Sequence, residues 1–274
     1  MPAIHLARLK IQVAQLAEKV HQPAVFVRGL HELLNLYADR VHRPGQSGEP
    51  RPLLAAYKAP LPVQRQVAQA LGVTAEQEPE IALALADALW GEPCLEMRLL
   101  AAGLLGKLPL DCLGAVLERV NRWIEARPED QLVDALIEYG LSRLRGEAPL
   151  RYMTLAETWL ASPQESTQRA GLRALLHLLS KTGHEHIPSV LRLMTNLTRV
   201  APRPLRADIL DILRRLVRIS PQETAFFLRQ NLTSPDNPDT AWLVRQLLPD
   251  FPENLRASLR AALTPSIPPT HSSQ

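Results

Sequence analysis

Cysteine is nearly absent from the chain: Cys94 and Cys112 are the two examples in 274 residues. Each sits inside an apolar helical pattern, so neither a disulfide framework nor a thiolate metal site is supported, and a reducing compartment fits best. Aromatic residues are scarce at 4%, although hydrophobic residues reach 46%. Buried surface must therefore come mainly from Leu, Ala, Val and Ile, which pack as thin layers between helices. Long apolar runs are missing too. The longest, Leu99 to Leu105, is closed off by Arg98 and Lys107, well short of the roughly 20 residues a membrane-spanning helix requires. The first residues carry His5, Arg8 and Lys10 and continue as an amphipathic helix, unlike a signal peptide. A cytoplasmic protein with no membrane partner is expected.

Catalytic signatures are lacking as well. The sequence has no Gly-rich phosphate loop, no nucleophile elbow, no His-Glu-x-x-His and no Cys-x-x-Cys. No cofactor and no bound metal are expected. His184-Glu185-His186 is the densest ligand-like group, but two histidines in a turn, without a third ligand, read as a solvated loop.

What is present is proline and helical periodicity. The 24 prolines punctuate Leu/Ala-rich segments at intervals of one helix length, marking helix starts. Met97, Leu100, Ala101, Leu104, Leu105 and Leu108 follow the helical template, as do Leu205, Ile209, Ile212, Leu213 and Leu216. Nothing shows a comparable period of two. Ser162-Pro163-Gln164-Glu165 recurs as Ser220-Pro221-Gln222-Glu223, reading as Ser at the N-cap, Pro at the first helical position and Glu closing a capping box. Further starts are predicted at Pro93, Pro109, Pro128, Pro149, Pro188, Pro202 and Pro252, giving helices of about 11 to 20 residues joined by short turns. Short turns force antiparallel neighbours. The predicted fold is all-α, an α-solenoid of HEAT-like antiparallel helix pairs. A helical hairpin over 1–42 is separated by a Pro/Gly/Ser-rich linker at 43–52 from the main array at 53–263, and 264–274 reads as a disordered tail.

Charge is modest overall, +3, but uneven. Between Ile187 and Arg218, seven arginines face Asp208 and Asp211, a surplus of five, so the rest of the chain sums to −2. Arg214, Arg215 and Arg218 fall opposite the apolar stripe and are expected to be exposed, where a row of guanidiniums can contact phosphates. The alternative is ordinary solubilisation with an Asp211–Arg215 helical pair. Arg169 and Arg173 flank the stripe of Leu172, Leu175, Leu176 and Leu179, a position for ligand contact or for stem packing. Asp130, Asp134 and Glu138 recur every four residues after Pro128. Asp130 complements the helix dipole. Asp134 sits further in, where a carboxylate can stabilise a developing cation, the alternative being a solvated acidic face.

From about Leu89 to Phe227 the order of elements resembles the HEAT-like DNA alkylation repair family of alkylpurine DNA glycosylases. The resemblance runs through Leu89-Trp90, Glu96, Trp123, Leu132-Val133-Asp134, Trp159, Gln168-Arg169, Ile212-Leu213-Arg214, Pro221 and Phe227. It implies a basic concave face that cradles duplex DNA, with a carboxylate stabilising the oxocarbenium-like sugar as a cationic purine departs. Asp134 matches the catalytic carboxylate and Arg169 a DNA-contacting arginine. Arg173, Arg199, Arg206, Arg214 and Arg218 complete the DNA-binding set. Asp130 stands where the family usually has tryptophan, and the region near Asp211 is acidic where an aromatic is expected. The competing class is a non-catalytic scaffold whose groove binds a protein partner.

Overall fold

The computed structural model describes residues 5–38 and 54–263. The linker expected at 43–52 and the tail expected at 264–274 lie outside them. The described residues are helical, with no strand and one isolated bridge between Ala55 and Cys94. No single helix among them is long and apolar enough to cross a membrane.

The chain divides into two compact units, 1–152 and 153–274. The first holds α1 (Leu6–Ala17), α2 (Pro23–Leu36), α3 (Leu61–Gln77), α4 (Pro79–Gly91), α5 (Leu95–Leu105), α6 (Leu113–Glu125), α7 (Asp130–Ala135) and α8 (Ser142–Glu147). A π-helical turn, Leu136–Gly140, follows α7. Helix α1 packs on α2 and α3, α2 on α4, α3 on α4 and α5, and α5 on α4, α7 and the π turn. The helix contacts of α1 to α5 are thus with helices one or two places away along the chain.

The boundary between units falls inside α9 (Pro149–Leu160). The second unit continues with α10 (Glu165–Thr182), α11 (Ile187–Arg199), α12 (Arg206–Ile219), α13 (Pro221–Leu232), α14 (Thr240–Leu247) and α15 (Glu253–Leu263). The same pattern recurs within it: α10 packs on α12, α12 on α14, α11 on α13, and α13 on α15.

The predicted stripes form the core. Met97, Leu100, Ala101, Leu104, Leu105 and Leu108 are all buried, as are Leu205, Ile209, Ile212, Leu213 and Leu216. On α10 the buried set is Leu172, Leu175, Leu178 and Leu179, with Leu176 half-buried.

Proline positions translate with small offsets. Pro149 and Pro221 open helices directly, and Pro188 lies in the first turn of α11. After Pro109 and Pro202 a short 3-10 turn comes first. The repeated tetrapeptide behaves differently at its two sites. In the first, the initial i→i+4 bond runs from the Gln168 N–H to the Gln164 carbonyl, so α10 begins at Glu165 rather than Pro163. The Ser162 hydroxyl accepts the Gln164 N–H ahead of the helix. In the second, Ser220 is the N-cap but its side chain makes no capping bond. Its carbonyl accepts both the Thr224 N–H and the Thr224 hydroxyl, so the expected capping box does not form there. Helices α7 and α8, with 6 residues each, fall below the expected lengths, because the π turn interrupts the segment after Pro128.

Candidate functional site

Asp130 opens α7, as expected, and Asp134 is half-buried one residue before the end of that helix. Leu132, Val133, Leu136, Ile137 and Gly140 are buried, which leaves Asp130, Asp134 and Glu138 on the opposite side. Both aspartates have interactions within the fold. The π turn that follows widens the helix by one residue per turn, and its Leu141 N–H reaches back to the Leu136 carbonyl.

That widening strands carbonyls, and side chains take them up. The Arg145 guanidinium, 9% exposed, donates to the Ile137 carbonyl at 3.1 Å and to the Glu138 carbonyl at 3.0 Å. The Ser142 hydroxyl donates to the Tyr139 carbonyl at 2.7 Å. Arg145 also lies 5.9 Å from the centroid of the fully buried Tyr152 ring, whose hydroxyl is pushed up to about 12 by burial against the opposing pull of Arg145. Gly106, just after α5, lets the turn seat: a Cβ there would lie 1.8 Å from the Tyr139 carbonyl oxygen. The turn after Asp134 is therefore held from two sides.

Two of the three tryptophans that carried the resemblance are paired. Trp90 and Trp123 stack with centroids 4.3 Å apart and planes 4° apart, and the Arg98 guanidinium lies 5.6 Å from the Trp90 centroid. Glu96 is 3% exposed. Its carboxylate accepts the Lys58 N–H at 2.6 Å and the Cys94 thiol at 3.4 Å. Burial, with Glu96 nearby, pushes the Cys94 thiol up to about 11. Lys58 takes a left-handed φ of 53°, so this anchor fixes a strained link into α3. His31 ties the same link further, bonding Tyr57 at 2.8 Å and Glu92 at 3.1 Å.

In the second unit the arginines are largely engaged. Arg169 on α10 meets Asp208 at 3.2 Å, Glu165 at 3.1 Å and the Pro204 carbonyl at 2.9 Å. Arg173 meets the other Asp208 oxygen at 3.6 Å. Burial raises the Asp208 pKa above the ordinary carboxylate value despite both arginines. Arg206 opens α12, pairs with Asp239 at 2.6 Å and lies 4.6 Å from the Trp242 ring centroid. Arg199 donates to the Asn231 side chain at 3.0 Å.

Arg214 pairs with Asp211 at 3.3 Å and with Asp250 at 3.6 Å. The Asp211 ion pair is thus with Arg214, three residues on, rather than the expected Arg215. Arg218 is exposed as expected, whereas Arg214 and Arg215 are half-buried, because α14 and the turn Leu248–Asp250 also pack on α12. Asp208 and Asp239, which answer Arg169 and Arg206, come from 39 and 33 positions away in sequence and could not be paired by local spacing. The His184-Glu185-His186 segment forms a 3-10 turn, with the His184 side chain outside the described residues.

Fold and site together define an all-helical protein of packed helix pairs, with a supported carboxylate helix in one unit and a guanidinium network in the other. The family model for the DNA alkylation repair enzyme matches residues 55–241, and the chain belongs to that family. No curated protein matches it.

Proposed function

We propose that the chain binds duplex DNA and excises alkylated purines from it, with each unit a run of HEAT-like pairs and Asp134 the catalytic carboxylate. The family match, which takes in Asp134 and every arginine from Arg169 to Arg218, is the observation that carries this reading. In the reaction the C1′–N bond of an N-alkylated purine breaks, and its electron pair leaves with the base, cancelling the base's positive charge. The sugar takes up that charge, the Asp134 carboxylate lowers its energy, and water adds at C1′ with loss of a proton. A half-buried carboxylate suits this role, since partial exclusion of water strengthens its field. Asp130 adds a second negative charge on the same helix, which favours a cationic base where the family usually has tryptophan.

Phosphates are contacted by Arg218 and Arg199, joined by the outward edges of Arg169, Arg173, Arg206 and Arg214. A guanidinium carries five N–H donors, so one tied to a carboxylate still has donors for a phosphate oxygen. The test is release of 7-methylguanine or 3-methyladenine from alkylated duplex, compared between wild type and Asp134→Asn. Release by the wild type, lost in the variant, supports the reading; equal release by both overturns Asp134.

A second reading, a protein-binding scaffold, is favoured by a groove of about 560 Å³ between α11 and α13. Phe226 stands in it 60% exposed. That reading predicts a co-purifying partner and no affinity for DNA at physiological salt, whereas DNA binding predicts affinity that falls steeply as salt rises.

A further inference from the structure

A second depression lies in the first unit, between the outer faces of α3 and α5, with a volume of about 530 Å³. Its walls are mostly apolar, formed by Leu61 and Leu71 of α3 and by Leu99 and Leu104 of α5, with Gln64 and Ser142 also in the lining. At Gly103 a Cβ would meet nothing within 4 Å, so the groove is open to its α5 backbone. Tyr139, from the π turn that follows the Asp134 helix, closes one side and is 50% exposed. Burial, with the Glu138 carboxylate nearby, raises its hydroxyl above the ordinary phenol value.

The two charged residues that line this groove, Arg65 and Lys107, are both cationic and both exposed. The aliphatic stem of Lys107 runs along Gly72 of α3, 3.9 Å from where a Cβ would stand. The Lys107 carbonyl is held by Arg143 at 2.9 Å. A groove with mostly apolar walls, an open aromatic face and charge of one sign at its rim matches one chemistry: a flat, weakly polar ring joined to anionic groups. Aromatic stacking between flanking cations is how proteins hold unpaired nucleotides. The volume lies within the range of small-ligand sites.

We infer that this groove takes one unpaired nucleotide of a DNA strand, its base against Tyr139 and its flanking phosphates on Arg65 and Lys107. This rests on the DNA reading of the preceding section and extends it. Tyr139 belongs to the π turn that follows the Asp134 helix, so a strand engaged there contacts the element next along the chain from the carboxylate.

The test uses full-length protein carrying Asp134→Asn, so that no excision alters the probe. Fluorescence anisotropy compares a blunt duplex with the same duplex bearing a short single-stranded tail, and 5-iododeoxyuridine placed in the tail provides photocrosslinking. The tail is expected to tighten binding about tenfold and to crosslink to Tyr139. Gly103→Phe fills the groove where space is open, and Arg65→Ala with Lys107→Ala removes the cations. Each is expected to abolish the tail advantage while leaving blunt-duplex binding unchanged and thermal stability not lowered. If the blunt duplex binds but the tail adds nothing, or its advantage survives in folded Gly103→Phe, the inference is overturned and the duplex reading stands. If neither probe binds in low salt, the duplex reading itself fails, and this inference with it.

Discussion

Glu96 shows how much one buried carboxylate can organise. It stands in the first turn of α5, where an acid complements the helix dipole, and it fixes the link at Lys58 while receiving the Cys94 thiol. Replacing it with Ala leaves a short backbone hydrogen bond without its acceptor. Glu96→Ala should lower stability by about 2–3 kcal/mol in chemical denaturation, and Glu96→Gln, which keeps an acceptor, by less. Asp208 makes a different prediction. Burial raises its pKa in the folded state, so the folded protein holds that proton more tightly than the unfolded chain. Its contribution is fully present below the ordinary carboxylate pKa and is lost as pH rises through the raised value. The stability of wild type relative to Asp208→Asn should therefore fall as pH rises through that window, measured by urea unfolding at a series of pH values.

The helices themselves were legible because their determinants are local. Apolar residues at helical spacing became the buried stripes of α5 and α12, and the predicted prolines Pro149 and Pro221 open α9 and α13, with Pro188 in the first turn of α11. The offset at Ser162 arose because a hydroxyl can bond a nearby N–H before the helix begins as well as within its first turn. The π turn was not legible. It depends on Arg145 and Ser142 taking up carbonyls and on Gly106 standing against Tyr139, and no periodicity records those contacts. This yields a contrast between two glycines near the end of one helix. Gly106→Ala should cost several kcal/mol or prevent folding, because its Cβ would collide with a backbone carbonyl. Gly103→Ala should stabilise by roughly 0.5–1 kcal/mol, since its Cβ meets open space in a helix. Thermal and urea unfolding of the two variants checks both.

For the whole molecule, charge and family point the same way, though charge alone was a weak guide. The surplus between Ile187 and Arg218 was visible in sequence, but Asp239 and Asp250, from beyond that stretch, bond Arg206 and Arg214 in the fold. Much of the expected guanidinium row is thereby drawn into holding helices together. Asp134 was legible as a candidate because its four-residue spacing from Asp130 and Glu138 is a local property. The groove beside Tyr139 was not, because Arg65, Lys107 and Tyr139 converge from three segments. The division between residues 152 and 153 leaves no mark in composition, since it falls within α9. The central claim is that this member of the DNA alkylation repair enzyme family excises alkylated bases through Asp134. The most direct measurement is the single-turnover rate of 7-methylguanine release from a defined duplex. The account predicts release above the spontaneous rate by the wild type and a loss of about 100-fold or more in Asp134→Asn, with duplex affinity retained. Release at the spontaneous rate by a folded, DNA-binding wild type, or an undiminished rate in the variant, would contradict it.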